Sequence, residues 1–222
     1  MGNEALLLDR LPEKPYAFPS MPTRRATVTR KTAETDIRLT LNIDGSGKSK
    51  ISTGIPFFDH MLTLLAKHAV IDLDLAVKGD LDVDFHHTVE DTGIALGQAI
   101  HKALGDRAGI RRYGFFLLPM DETLVRVALD FSGRPLVIFK VPKNAPLIRL
   151  KAGDFPAQLT EEFLRGLAQH AGLTLHVEVL YTSEVHHLIE GVFKGLAKSL
   201  DAAFQRDPRV KGVPSTKGNL RG

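Results

Sequence analysis

The chain contains no cysteine. This excludes disulfides, thiolate metal sites, four-cysteine zinc ribbons and a cysteine nucleophile, and it permits a reducing cytoplasm, the expected location. Any metal must take its ligands from His, Asp and Glu. No apolar run approaches the roughly 20 residues of a membrane span, so no membrane partner is expected. The opening MGNEALLLDRLPEKPYAFPSMP has a short apolar patch, acidic neighbours and no basic stretch ahead of it. It does not read as a signal peptide, and residues 1–23 are expected to form a Pro-rich flexible leader. Charge of one sign is also scarce. The net charge is +3 and the calculated pI about 9.1. Basic residues do not interleave with aromatic ones, so no nucleic-acid partner is expected. A small molecule bearing phosphate accounts for the mild excess as well.

What is present is a chain written twice. Its 222 residues are 43% apolar and 25% charged, ordinary for a globular protein with room for one large core. Apolar residues recur with helical period at Val89, Gly93, Leu96, Ile100 and Leu104, and again at Ile189, Phe193, Leu196, Leu200 and Phe204, at an offset of 100 residues. FFDHMLTLLAKHAVIDLDLAV (57–77) matches LTEEFLRGLAQHAGLTLHVEV (159–179), each a helix running into an alternating strand. ETDIRLTLNIDGSG (34–47) matches ETLVRVALDFSGRP (122–135) at an offset of 88. The expected fold is α+β with an internal duplication: one half over 24–110, the other over 111–206, and a C-terminal arm over 207–222. Each half is expected to run strand, strand, helix, strand, strand, helix, with a mainly antiparallel or mixed four-stranded sheet and two helices on one face. Packing helix layer to helix layer and packing sheet to sheet both remain open.

The repeat carries its chemistry at the helix starts. FHHTVED (85–91) and VHHLIEG (185–191) each place two histidines ahead of a glutamate. His86 and Glu90 are i,i+4 neighbours and His87 and Glu90 are i,i+3, so either pair shares a helix face. Adjacent histidines point about 100° apart, so one pair can serve two sites. His60 in FFDHM adds a further imidazole, and His186, His187 and Glu190 form the second set. Imidazole plus carboxylate suits a first-row divalent ion, and two half-sites imply two metals with ligands drawn from both halves. One such motif alone is more often a solvated helix start; two at equivalent repeat positions are not. His68 and His170 fit helix ends better than ligation, His101 fits the surface, and His176 lies in an alternating strand. Arg112, Asp121 and Glu122 lie in RRYGFFLLPMDET, Arg134 in FSGRP, Lys194 in EGVFKG, and Ser215 and Lys217 in PSTKG. Cations and hydroxyls on turns suit a phosphate dianion, although each alone is ordinary surface.

STGIPFFDHM, GDLDVDFHHTVEDTGIALG, PMDET, DFSGRP, HHLIEGVFK and PSTKG, in this order over about residues 24–220, resemble the imidazoleglycerol-phosphate dehydratase family of histidine biosynthesis. The resemblance implies two similar α+β halves, two manganese ions (Mn²⁺) per active site, and a shell of twenty-four subunits with active sites at their interfaces. It implies a hydro-lyase reaction from imidazole glycerol phosphate to imidazole acetol phosphate. The ring, held between two metals as imidazolate, expels the side-chain hydroxyl, and a base takes the proton from the neighbouring carbon. One metal set is expected to be His60, His87, Glu90 and His187, and the other His86, His186 and Glu190. Glu34 is the first choice of acid–base, with Asp121 or Glu122 second, Glu122 being the repeat partner of Glu34. Arg112, Arg134, Lys194, Ser215 and Lys217 match substrate and phosphate contacts. Departures from the family's pattern fall at Leu64, Thr182, Glu184 and Glu162. Glu162 stands at the repeat position of His60 and is a further candidate ligand. The alternatives are a non-catalytic metal-binding shell on the same scaffold and, more distantly, a metal-dependent hydrolase.

Overall fold

Burial alternates along β2 (Thr35–Asn42), where Thr35, Ile37, Leu39 and Leu41 point inward, and along β6 (Thr123–Asp130), where Thr123, Val125, Val127 and Leu129 do so. A period of two fixes which face of each sheet joins the core. The computed structural model describes residues 23–143, 145 and 149–220, so the expected leader lies outside the described residues except for Thr23. Around β2 the first sheet adds β1 (Arg25–Lys31), β3 (Ser49–Ser52) and β4 (Asp72–Gly79), in the order β1-β2-β4-β3. Around β6 the second adds β5 (Tyr113–Met120), β7 (Leu136–Lys140) and β10 (Thr174–Tyr181), in the order β5-β6-β10-β7. In both sheets the edge pair, β3–β4 and β7–β10, is parallel and the other pairs are antiparallel. A small hairpin, β8 (Lys151–Ala152) with β9 (Phe155–Pro156), precedes the third helix.

The duplication is as expected, but the order within each half differs. The fourth strand comes before the first helix, not after it. Residues 80–84, which include Asp80, Asp82 and Asp84, form a turn between β4 and the second helix. Val83 N–H donates to the Asp80 carbonyl at 2.9 Å, and the Asp84 carboxylate accepts from His86 N–H at 2.7 Å. Asp is poor in strands and good at such local bonds.

The helices are α1 (Pro56–His68), α2 (His86–Leu104), α3 (Leu159–Ala171) and α4 (Val185–Phe204). Pro56 sits in the first turn of α1, where its missing N–H costs nothing, and Gly172 ends α3 in the left-handed region at φ 64°. The halves meet helix to helix, α2 against α3 and α1 against α4, between the two sheets. Phe58 of α1, Phe163 of α3 and Phe193 of α4 meet at the centre, with ring centroids 5.6 Å (Phe58–Phe163) and 5.1 Å (Phe163–Phe193) apart.

Glycines allow α2 and α3 to approach closely. A Cβ at Gly93 would stand 2.5 Å from the Phe163 carbonyl, one at Gly97 2.5 Å from that of Leu167, and one at Gly166 2.8 Å from that of Glu90. Gly93→Ala therefore sets two effects against each other. Helix propensity favours Ala by about 1 kcal/mol, whereas overpacking costs about 1–3 kcal/mol, and here the obstacle is backbone. Net destabilisation is expected in denaturant unfolding; a stabilised variant would show that the helices can separate at no cost.

Candidate metal centre

The helix starts lie beside the hairpin turns, so each half presents one histidine-rich edge. At the first, His87 Nδ1 is 2.9 Å from Asp80 Oδ2 and its Nε2 is 3.7 Å from Glu34 Oε1. His86 Nε2 is 3.6 Å from Glu90 Oε2. At the second, His187 Nδ1 is 2.9 Å from Glu122 Oε2, and its Nε2 is 3.8 Å from Asp121 Oδ2. His186 Nε2 is 3.1 Å and His60 Nε2 3.7 Å from Glu190 Oε2. Phe57 meets the His186 ring edge-on at 5.2 Å and fixes its tilt.

Among the described residues, two groups of three bring ligand atoms within 4.8 Å of one another: His60, His186 and Glu190, and Asp121, Glu122 and His187. This regroups the expected donors. Within one chain His60 joins His186 and Glu190, not His87 and Glu90, because α1 packs on α4. The repeat mate of His60 behaves correspondingly. α3 runs alongside α2 in the same direction, with Phe163 at Gly93 and Leu167 at Gly97. Glu162 lies one turn before Gly166, which touches Glu90, so Glu162 stands at the His86 end of α2. Its neighbour Glu161 is ion-paired with Arg165.

The donor chemistry fits a divalent metal. All donors are imidazole or carboxylate, and carboxylates hold Nδ1 of His87 and His187 while each Nε2 lies 3.7–3.8 Å from a second carboxylate. Carboxylate-held imidazole is the usual support of a ligating histidine. Asp80 was not anticipated from sequence; the acidic run GDLDVDF ahead of His86 gave no sign of which carboxylate turns back. The Asp80 carboxylate, accepting from the His87 ring, raises the His87 pKa above its ordinary value against the opposing effect of burial, with Glu34 adding to the rise. Glu122 acts likewise on His187, which in turn lowers the Glu122 carboxyl. Burial works against the Glu190 carboxylate, yet Lys194 and His186 beside it outweigh burial and hold its pKa below the ordinary value.

The phosphate candidates divide. Arg112, Arg134, Ser215 and Lys217 line one open cleft of about 910 Å³, walled on one side by the C-terminal arm. Lys194 is elsewhere, 2.6 Å from Glu190 Oε1, its i,i+4 neighbour. Arg112 is largely committed: Nε and one terminal nitrogen bind Asp130 at 2.6 and 3.0 Å, and the other donates to the Pro214 carbonyl at 2.8 Å. The Arg134 side chain and Lys217 Nζ have no hydrogen-bond or ion-pair partner among the described residues. The departures at 182 and 184 are structural. Glu184 caps α4, accepting from His187 N–H at 2.8 Å, and Thr182 bonds to Thr123. Leu64 packs partly buried against the core. His170 Nδ1 bonds to the Gly166 carbonyl, as a helix-end role requires, and His176 faces outward on β10.

Fold and site together define a duplicated α+β enzyme with candidate divalent-metal groups and a cationic cleft. A family model described as imidazoleglycerol-phosphate dehydratase matches residues 53–200. Curated relatives with that name include one from Acetivibrio thermocellus, 57% identical over 89% of this chain and 99% of its own. Another, from Rhodopseudomonas palustris strain BisB5, is 56% identical over 90% of this chain and 100% of its own. Solved structures of the family align as well. That from Staphylococcus aureus has a TM-score of 0.73 at 35% identity, covering 82% of this chain and 99% of its own. That from Pyrococcus furiosus, a complex with (S)-C348, has a TM-score of 0.72 at 35% identity, covering 87% and 100%. The chain belongs to the imidazoleglycerol-phosphate dehydratase family.

The Asp80 contact has a testable sign. A raised His87 pKa stabilises the metal-free fold below about the unfolded value of 6.5, and that contribution is lost as pH rises through the folded value. Asp80→Asn should move the His87 midpoint downward in an NMR titration of the metal-free protein. An unchanged midpoint would remove Asp80 as the group that holds this ring.

Proposed function

We propose that the chain dehydrates imidazole glycerol phosphate to imidazole acetol phosphate, a step of histidine biosynthesis. The observation that carries the reading is the pair of edges in which Glu34 and Glu122, repeat partners, each stand against the second histidine of an HHxxE motif. Two divalent ions, most simply Mn²⁺ for mixed imidazole and carboxylate donors, belong to this reading. His60, His186 and Glu190 would hold one; His86, Glu90 and Glu162 would hold the other. His87 and His187 would supply the fourth donors from the facing edge of a second copy. Bound there, the ions supply Lewis-acid charge to the imidazole ring of the substrate.

The protein's own groups do the rest. Glu34 Oε1 takes the proton from the carbon next to the one that loses hydroxyl; its carboxylate is exposed and bound only loosely to His87. Asp121 is the second choice, being 72% exposed on its side chain. Glu122 is occupied in holding His187, which argues for an orienting role. Arg134, Ser215 and Lys217 bind the phosphate, with Arg112 fixing the arm that carries two of them. Lys194 balances the charge on Glu190.

Self-association would complete the shared sites. The outer face of the second sheet exposes Tyr113, Phe115, Leu117 and Leu136, whereas the outer face of the first is mainly polar, with Arg25, Thr27, Arg38, Thr40 and Asp74. An apolar face of this kind suits a second copy in a large homo-oligomer. The same reading divides the chain at 110/111 and 206/207 and puts it in the cytoplasm, where cysteine-free sites need no redox control. Among the described residues no helix is long and apolar enough to cross a membrane.

Incubating Mn-loaded protein with imidazole glycerol phosphate should yield the ketone product; no product would leave a non-catalytic metal-binding shell. Glu34→Gln should keep its metal and lose turnover by on the order of 10²-fold or more. Loss of metal with unchanged activity per metal would make Glu34 a ligand instead. Glu162→Ala should weaken one of two metals in elemental analysis while Glu161→Ala weakens neither. Equal retention of both ions in the two variants would leave Glu162 an ordinary surface carboxylate.

A further inference from the structure

The carboxylate next to Glu90 points the other way. Asp91 is 6% exposed and buried between α2 and the β1–β2 hairpin. Its two oxygens take both terminal nitrogens of Arg30 at 2.9 Å, and Oδ2 also accepts from the Thr35 hydroxyl. Arg30 and Thr35 stand on either side of the turn that carries Glu34. Within that turn the Thr32 hydroxyl accepts from Glu34 N–H at 3.1 Å and from Thr35 N–H at 2.9 Å, and it lies 3.3 Å from the Thr35 hydroxyl. The Glu34 carbonyl accepts from Asp80 N–H at 3.1 Å, and the Asp80 side chain holds His87. One unbroken chain of bonds thus runs from Asp91 through Thr35 and Thr32 to the backbone of Glu34, and from there to the residue that orients His87.

The second half lacks this device. The repeat mates of Thr35 and Glu34 are Thr123 and Glu122, but that of Asp91 is Gly191 and that of Arg30 is Leu118. The place is equivalent in space: a Cβ at Gly191 would lie 3.6 Å from Thr123 Cγ2. There the Thr123 hydroxyl turns to Glu122 and Thr182 instead. The half whose glutamate is tied directly to its histidine has a glycine, not a carboxylate, under the turn. The half whose glutamate stands free of direct bonds has a buried, doubly paired carboxylate there. A free carboxylate can move a proton reproducibly only if its backbone is fixed from beneath, because misplacement by an ångström costs heavily in rate.

We infer that Asp91 is a positioning residue for Glu34: it clamps Arg30 and Thr35 so that the turn holds the Glu34 carboxylate beside His87 Nε2. The inference rests on the proposed acid–base role of Glu34. Thr35→Val, which removes the donated hydroxyl at nearly constant volume, should lower kcat about tenfold, with metal content, binding of inorganic phosphate and KM little changed. Thr35→Ser should restore kcat. Asp91→Asn should lower kcat further, and because it leaves Arg30 without a partner, its unfolding is followed in parallel. The deciding comparison is a double-mutant cycle. In a Glu34→Gln background neither Thr35→Val nor Asp91→Asn should reduce the residual turnover further. Losses that multiply instead of merging would show that Asp91 acts on something other than Glu34, and unchanged kcat in Thr35→Val would equally overturn the inference. If Glu34→Gln alone keeps full turnover, the acid–base reading fails first, a result distinct from either.

Discussion

A carboxylate hydrogen-bonded to Nδ1 of the second histidine in each HHxxE pair is the contact on which the candidate site depends. Asp80 makes it to His87 and Glu122 to His187. The bond sets the ring's rotation and leaves Nε2 without a hydrogen bond among the described residues. Without it, an imidazole at the first turn of a helix would sample several rotamers, and its lone pair would have no fixed direction. The helix starts, hairpin turns and sheet registers on both sides bring these carboxylates within reach.

The two halves repeat a scaffold and divide the work. In the first, Asp80 is used for the histidine, so Glu34 is left without a direct bond. In the second, Glu122 itself holds the histidine. One backbone design thus carries one glutamate hydrogen-bonded to its histidine and another that stands 3.7 Å from its own. The close α2–α3 contact, made possible by Gly93, Gly97 and Gly166, keeps the edges in a fixed relation.

Much of this was legible in the sequence. The constant offsets between matched motifs exposed the duplication, and alternation at Ile71, Leu73 and Leu75 exposed the strand after the first helix, because periodicity reports burial directly. The doubled HHxxE marked both edges. The strand Ser49–Ser52 was missed ahead of the first helix because it is short and polar; only pairing with β4 reveals it. The grouping of His60 with His186 was also hidden, since it depends on α1 packing against α4, a long-range choice with no local signature. Asp80 and Asp91 escaped for the same reason. Their partners lie across turns and between elements, and one acidic residue in a run looks like the next. Lys194 pairs with Glu190 at the spacing that the sequence showed, one helical turn apart.

The central claim is that a complete centre combines the second-half edge of one chain with the first-half edge of another. The most direct measurement mixes two variants, one with His86→Ala and His87→Ala, the other with His186→Ala and His187→Ala. The metal-stripped chains are mixed, reassembled with Mn²⁺, and confirmed as mixed particles by native mass. Each variant alone should be inactive on imidazole glycerol phosphate, and the mixed particle should recover turnover, because an intact first edge then faces an intact second edge. Mixed particles as inactive as either parent would contradict shared centres and return all ligands to a single chain.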